Sequence, residues 1–409
     1  MSLVVVMVTS SYPRFPGDSV GTFMEPIATS IAARGHEVHV VAPWHPAINR
    51  PSVDRGVHFH FYKYAPVRSL NVFGYASAMH ADVSLRGAAY VAAPLALAAG
   101  WWMARRVALR HKASLIHGHW VVPGGVTAAM AAPSLPLVIS LHGSDVFVAE
   151  RLAPARAAAR AAFRRAGFVT ACSDDLARRA IAIGADPERI GVVPYGVDAR
   201  RFRPDANRRL ERRRQYGADP ATWLIAAAGR LVRKKGFEYL VDALADLPGA
   251  LLVIAGDGSL RAELEQRARD RRVVERVRFL GNRTQDDVAG LFAAADVIVT
   301  PSVRDDSGNV DGLPNVVMEA LASGTPLVTT EAGGIGAVVE NDVTAAVVAE
   351  RDVPGLATAI RHLGADPAMR ERIGAAARAL VEQKFGWAQT AVQFETAYRH
   401  ALAFMSTHR

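Results

Sequence analysis

The chain has 409 residues, half of them apolar, with a single cysteine and a formal net charge of +9. That length suggests two or three domains, and the composition excludes a disordered or collagenous chain. One cysteine, Cys172, excludes an internal disulfide and a thiolate metal cluster.

The opening run, MSLVVVMVTSSYP, has no basic stretch ahead of its apolar residues. It therefore predicts a core strand over Leu3–Ser10 rather than a signal peptide. The loop Tyr12–Thr22 follows, with Gly17 and Gly21, and then a helix ending near Arg34 and Gly35. EVHVVAP, Glu37–Pro43, is the next strand. The longest uncharged stretch, Gly87–Ala104, is broken by Pro94 and Gly100 and is at the short limit for a membrane span. It predicts a helical region inside a soluble domain, and a cytoplasmic protein. SLIHGHW, PLVISLHG and GFVTACS continue the strand series.

The pattern then restarts, with strands beginning at Trp223, Ala250, Arg276, Asp296 and Thr325 and helices over Gly236–Leu247 and Leu260–Arg272. Continuous apolar strands alternating with helices indicate parallel sheets covered on both faces. Two such series predict two doubly wound, Rossmann-like α/β domains facing a cleft. The joint falls within Val193–Asp205, punctuated by Pro194, Gly196 and Pro204. The expected domains are 1–198 and 199–387. On pattern alone, the final helix from Trp387 either completes the second domain or crosses back to the first.

Charge is uneven. Residues 1–203 carry 22 Lys and Arg against 12 Asp and Glu, whereas the remainder is close to neutral. Such an excess suits an anionic membrane or a polyanionic acceptor. No recognition motif accompanies it, so no nucleic-acid partner is expected. Trp101, Trp102, Arg105, Arg106 and Arg110 combine aromatic and basic groups as interfacial helices do, although a packed helix with a solvated basic end has the same composition.

The most informative segment runs from Asp311 through Gly312, Leu313, Pro314, Asn315 and Val316 to Glu319. A strand ends near Ser302, a polar loop follows, and a helix is predicted to start near Pro314. Its first-turn amides lack helical partners and carry the positive end of the dipole, a seat for a diphosphate. Asp311 and Glu319 could both accept hydrogen bonds from sugar or ribose hydroxyls. The loop after Trp223–Ala228 holds Arg230, Arg233, Lys234 and Lys235. Arg230 and Lys235 are the preferred diphosphate contacts, one as a fork and one as a point charge. In the first half, His142 in LHGSD stands at a strand's carboxyl end. Gly21 would permit close backbone approach to a substrate. AGDGSLR has Arg261 where a dinucleotide fingerprint needs its third glycine, which argues against an NAD enzyme. His117 and His119 could face one way, but no third ligand accompanies them for zinc.

Together these segments resemble the family-four retaining glycosyltransferases of the GT-B fold, over nearly the whole chain. The resemblance implies that Asp311 and Glu319 form the family's acidic pair, the first on the donor sugar and the second on ribose. It implies that Arg230, Lys235 and the backbone of Leu313–Val316 bind the diphosphate. His142 would contact the transferred sugar, and Gly21 would approach the phosphates. It also implies that helix 388–409 packs back on the first domain, and that neither a metal nor another cofactor is needed. No Asp-x-Asp motif is evident in the sequence. Asp311 stands where the family's commonest residue is Glu, which bears on donor choice. The expected partners are a nucleotide diphosphate sugar and a polysaccharide, lipid-linked or small-molecule acceptor in bacterial-type glycan synthesis, with peripheral contact at the inner face of an anionic membrane. The alternatives are a sugar-nucleotide epimerase of the same fold and a non-catalytic sugar-nucleotide-binding scaffold.

Overall fold

The structure is a computed structural model that describes residues 2–18, 20–65, 71, 74–75 and 87–407, with side chains of the first long helix described from residue 92. Ser19 of the first glycine loop and residues 408–409 of the expected final helix lie outside this set. Two compact units result: residues 1–194 with 387–409, and residues 195–386.

The first unit runs β1 (Val4–Val8), α1 (Met24–Ala32), β2 (Glu37–Pro43), β3 (Val53–Asp54), β4 (Val57–Tyr62), α2 (Gly87–Arg110) and β5 (Leu115–His119). A π-helical turn, Trp120–Gly125, leads into α3 (Val126–Ala131). Then come β6 (Leu137–Leu141), α4 (Ser144–Arg151), α5 (Ala153–Arg165), β7 (Phe168–Ala171), α6 (Asp174–Ala182) and β8 (Ile190–Val192). The sheet order is β3-β4-β2-β1-β5-β6-β7-β8, parallel except for the edge pair β3–β4. β1, β5 and β6 are almost wholly buried, as expected for central strands covered on both faces. β4, VHFHFY, alternates buried and part-exposed residues, so it lacks the continuous apolar run that marks its neighbours.

The second unit contains α7 (Ala206–Tyr216), β9 (Trp223–Ala228), α8 (Phe237–Ala243), β10 (Ala250–Ala255), α9 (Arg261–Asp270), β11 (Val277–Phe279), α10 (Gln285–Ala294) and β12 (Val297–Thr300). α11 (Asn315–Ser323), β13 (Leu327–Thr329), β14 (Ala346–Val347), α12 (Val353–Ala365) and α13 (Pro367–Lys384) complete it. Its six strands are all parallel, in the order β11-β10-β9-β12-β13-β14. β9 is central, so the loop after it emerges in the middle of the sheet's carboxyl edge.

The last helix, α14 (Trp387–Thr407), belongs to the first unit. Ala391, Phe394, Ala397, Tyr398 and Ala401 pack into the same core as Val5, Met7 and Ile27. Burying a side chain the size of Phe394 contributes roughly 1.5–3 kcal/mol. The Tyr398 hydroxyl meets His117 Nδ1 at 3.0 Å, and Arg34 grips Glu395 with two hydrogen bonds. At Gly167, an added Cβ would stand 2.8 Å from the Ala401 Cα, so the helix lies directly on the chain there.

Candidate active site

In the second unit the chain leaves β9 and forms a tight turn. Leu231 is fully buried and ties the loop to its neighbour, donating from its N–H to the Asp257 carbonyl at 3.0 Å. Arg233–Lys235 then coil into one 3-10 turn, ended by Gly236 at φ +65°. A side chain at Gly236 would put Cβ 1.9 Å from the Pro301 carbonyl oxygen. Only glycine therefore allows the β9 and β12 loops to touch at this point.

That turn separates the basic residues. Arg233 swings to Glu263 at 2.6 Å. Lys234 and Lys235 converge on Asp311, Lys234 Nζ at 3.1 Å from one carboxylate oxygen and Lys235 Nζ at 2.6 Å from the other. All three side chains are mostly buried. Burial alone would raise the Asp311 carboxyl, but the two ammonium groups outweigh it and hold the group well below the usual carboxylate range. Arg230 stands exposed in the same loop.

Asp311 precedes the start of α11. Pro314 takes the capping position and Asn315 opens the helix; Gly312, Leu313, Pro314 and Val316 are buried. The first-turn amides thus begin close in sequence to the lysine-bound carboxylate. The Asn315 side-chain oxygen is buried without a hydrogen-bond partner. One turn on, Glu319 accepts from Gln285 Nε2 at 3.3 Å, and Arg201 donates to the same glutamine. Burial pushes the Glu319 carboxyl up to about 7, despite the Gln285 hydrogen bond and the charges of Arg201 and Lys235.

In the first unit, Gly21 lies at φ +65°, where an added Cβ would meet Ser11 Oγ at 2.8 Å. Its loop is braced by Asp18, which accepts from the Arg14 backbone and guanidinium. His142 sits between β6 and α4. Its Nε2 is 3.1 Å from His119 Nδ1, and its ring is flanked by Trp120 and Phe23 at centroid distances of 4.5 and 4.8 Å. Burial, reinforced by His119, keeps the His142 imidazole neutral, with its pKa well below the ordinary value. Burial likewise pushes His119 down to about 3. Asp145 fixes the loop by accepting from the N–H groups of Val121, His142 and Gly143. His117 is held by Tyr398 and Ser140 Oγ, the latter at 2.7 Å.

The structure thus brings Lys235, Asp311, the 312–316 segment and Glu319 together within the second unit, and places His142 and Gly21 on strand-end loops of the first. Sequence reasoning passed over Lys234, which shares Asp311 with Lys235. The signal was available in principle: two consecutive lysines in a tight turn, unlike those in a strand, can reach one carboxylate. It also missed Gln285 and Arg201, which no local pattern ties to Glu319, and the aromatic wall around His142.

Comparison with known proteins decides the family. Models of Glycosyltransferase Family 4 and of Glycosyl transferases group 1 match residues 20–201 and 208–380. The chain belongs to the family-four glycosyltransferases. This glycosyltransferase is 29% identical to a glycogen synthase of Mycobacterium tuberculosis over 96% of its own length and 94% of the relative's. Its fold is GT-B. It matches sucrose-phosphate synthase from Thermosynechococcus elongatus with a TM-score of 0.80, at 22% identity over 98% of this chain and 99% of the other. It matches Anabaena HepE, solved in complex with UDP, with a TM-score of 0.77, at 22% identity over 97% and 100%. The enzyme is accordingly a glycosyltransferase of a retaining family, drawing its sugar from a nucleotide sugar. Among the described residues, no helix is long and apolar enough to cross a membrane.

Proposed function

We propose that the enzyme transfers a hexosyl group from a nucleotide diphosphate sugar to a lipid-linked or polyanionic glycan acceptor presented at an anionic membrane. The observation that carries the donor side is the convergence of Lys234 and Lys235 on Asp311, just ahead of the α11 start. Arg230, Lys235 and the amides of Leu313–Val316 grip the diphosphate. Glu319, steadied by Gln285, holds the ribose hydroxyls. Asp311 orients the sugar; His142, in the first unit, is neutral and so can donate or accept without adding charge.

The acceptor hydroxyl attacks the anomeric carbon on the face from which the diphosphate leaves. The anomeric C–O bond to the diphosphate breaks, the new glycosidic bond forms, and the hydroxyl proton passes to the departing phosphate oxygen. Positive charge on Arg230 and Lys235, with the helix start, stabilises the charge growing on that oxygen. No metal is needed in this reading, because those groups supply the countercharge.

Arg230→Ala and Lys235→Ala are expected to weaken nucleoside diphosphate binding by about tenfold or more, since a charge-assisted hydrogen bond contributes roughly 1.5–3 kcal/mol. Nucleoside binding should scarcely change. Calorimetry with both ligands checks this, and unchanged diphosphate affinity in both variants removes the assignment. Turnover of the sugar nucleotide only in the presence of acceptor separates transfer from epimerisation and from mere binding.

The membrane part rests on α2. Leu95, Trp102 and Leu109 are 51, 51 and 67% exposed, and Trp101 is 37% exposed. Arg105, Arg106 and Arg110 are exposed on the same helix, with the Arg106 guanidinium over the Trp102 ring at 5.2 Å. Exposed apolar groups beside arginines are what an anionic bilayer surface takes up. At about 1 kcal/mol per basic residue, replacing all three arginines by alanine should weaken binding to anionic vesicles roughly hundredfold. Co-sedimentation at low and high salt measures this; equal binding to neutral vesicles contradicts the membrane reading.

A further inference from the structure

A second cluster of chemistry lies in the first unit and shares no residue with the site assigned to sugar transfer. His39 on β2, His60 on β4 and His111 just after α2 bring one ring nitrogen each within 4.8 Å of one another. Strand pairing accounts for the first two. β2 and β4 are parallel neighbours with His39 opposite His58 and Val41 opposite His60, so all three strand imidazoles share one face. The end of α2 brings the His111 ring to 4.0 Å from that of His39, centroid to centroid.

His39 is fully buried. An imidazole inside a covered sheet face costs free energy unless its nitrogens are engaged. Both are. His39 Nε2 is 2.8 Å from Glu37 Oε1, and His39 Nδ1 is 3.0 Å from His60 Nε2. The carboxylate accepts the Nε2 proton and so leaves the Nδ1 lone pair pointing at His60. Two imidazole nitrogens 3.0 Å apart are near the separation of about 3.3 Å that tetrahedral ligands with bonds of about 2.0–2.1 Å require. His58 stacks on His39 at 4.8 Å and stands outside the converging set.

We propose that His39, His60 and His111 form a zinc site, with Glu37 as the outer carboxylate that fixes the His39 tautomer. Three imidazoles without thiolate or carboxylate ligands favour zinc and its neighbours over magnesium or calcium. His60 and His111 are only partly buried, so a water can complete the tetrahedron. Binding moves the His60 proton from Nε2 to Nδ1 and frees its lone pair, with no net proton change among neutral rings. A carboxylate behind a metal-bound histidine is the usual way in which such a ligand is oriented. Bound there, zinc joins the end of α2 to two strands. Because α2 also carries Trp101 and Trp102, the metal would stiffen the helix proposed for membrane contact, but its binding does not depend on that role.

The test uses the full, untagged chain after chelator treatment. Titration calorimetry and metal analysis after gel filtration are expected to show one Zn2+ per chain, with Mg2+ giving none. His111→Ala and His60→Ala should each lose the retained zinc. Glu37→Gln, at a carboxylate that is 46% exposed, should weaken binding about tenfold to hundredfold. Circular dichroism confirms that each variant is folded. Failure of wild type to retain zinc, or equal retention by wild type, His111→Ala and Glu37→Gln, overturns the proposal and leaves a hydrogen-bonded histidine cluster that pins α2.

Discussion

Asp311→Ala is expected to lower turnover by about two orders of magnitude and to destabilise the second unit by about 3–5 kcal/mol. The two effects have different origins. The stability loss comes from Lys234 and Lys235, whose ammonium groups lie 3.1 and 2.6 Å from the Asp311 oxygens and would be left buried without a countercharge. The turnover loss comes from a sugar no longer held at the distance attack requires. Asp311→Glu separates them: it keeps the charge, adds one methylene and should retain most of the stability while changing donor choice or rate. Denaturation followed by circular dichroism, together with steady-state kinetics against donor concentration, checks both. Wild-type turnover in Asp311→Ala would remove the orienting role. The sign with pH is also set. Because the folded carboxyl lies below its ordinary value of 3.8, its contribution is complete above that value and is lost only as the pH falls below it.

For Glu319 the sign is opposite. Burial raises its carboxyl from 4.5 to about 7, so folding disfavours the ionised form. This group therefore favours the folded state most below pH 4.5, and that advantage is lost as the pH rises towards 7. Ribose hydroxyls donate to a carboxylate, so nucleotide binding selects the ionised form. The affinity of the ligand-free enzyme for nucleoside diphosphate is expected to increase from pH 6 to pH 7 and to level off by pH 8. Glu319→Gln should weaken binding at pH 8 by about tenfold or more and remove the part of the pH dependence owed to the protein. Ionisation of the diphosphate itself is common to both proteins, so the difference between their calorimetric profiles isolates the carboxyl. Parallel profiles would show that Glu319 does not meet the ribose.

The parts of this architecture legible in the amino-acid order are those whose physics is local. Val4–Val8, Leu137–Leu141 and Ala250–Ala255 are apolar runs because both of their faces are covered, and they announce parallel strands. β4 does not, because its alternating histidines and aromatics belong to a strand with one part-exposed face. The start of α11 was legible from Pro314. That both adjacent lysines would meet Asp311 was not, since that depends on a 3-10 turn ended by Gly236, which lies against Pro301. Gln285 beside Glu319, and His39 with His60 and His111, are assembled by tertiary packing across separations that leave no local pattern.

The return of α14 has a consequence for biosynthesis. A ribosome delivers residues 195–386 before residues 387–407, yet the latter supply Phe394 and Tyr398 to the core around Val5 and Met7. The half that emerges first must therefore wait, with the part of its core that α14 covers still open, while the half that emerges second already has every strand it needs. Completion runs counter to the direction of synthesis. During the interval the apolar face around Met24 and Ile27 is the surface a nascent-chain chaperone would hold, and a nonsense codon between Gly386 and Phe394 would leave the second unit intact and the amino-terminal half unfinished.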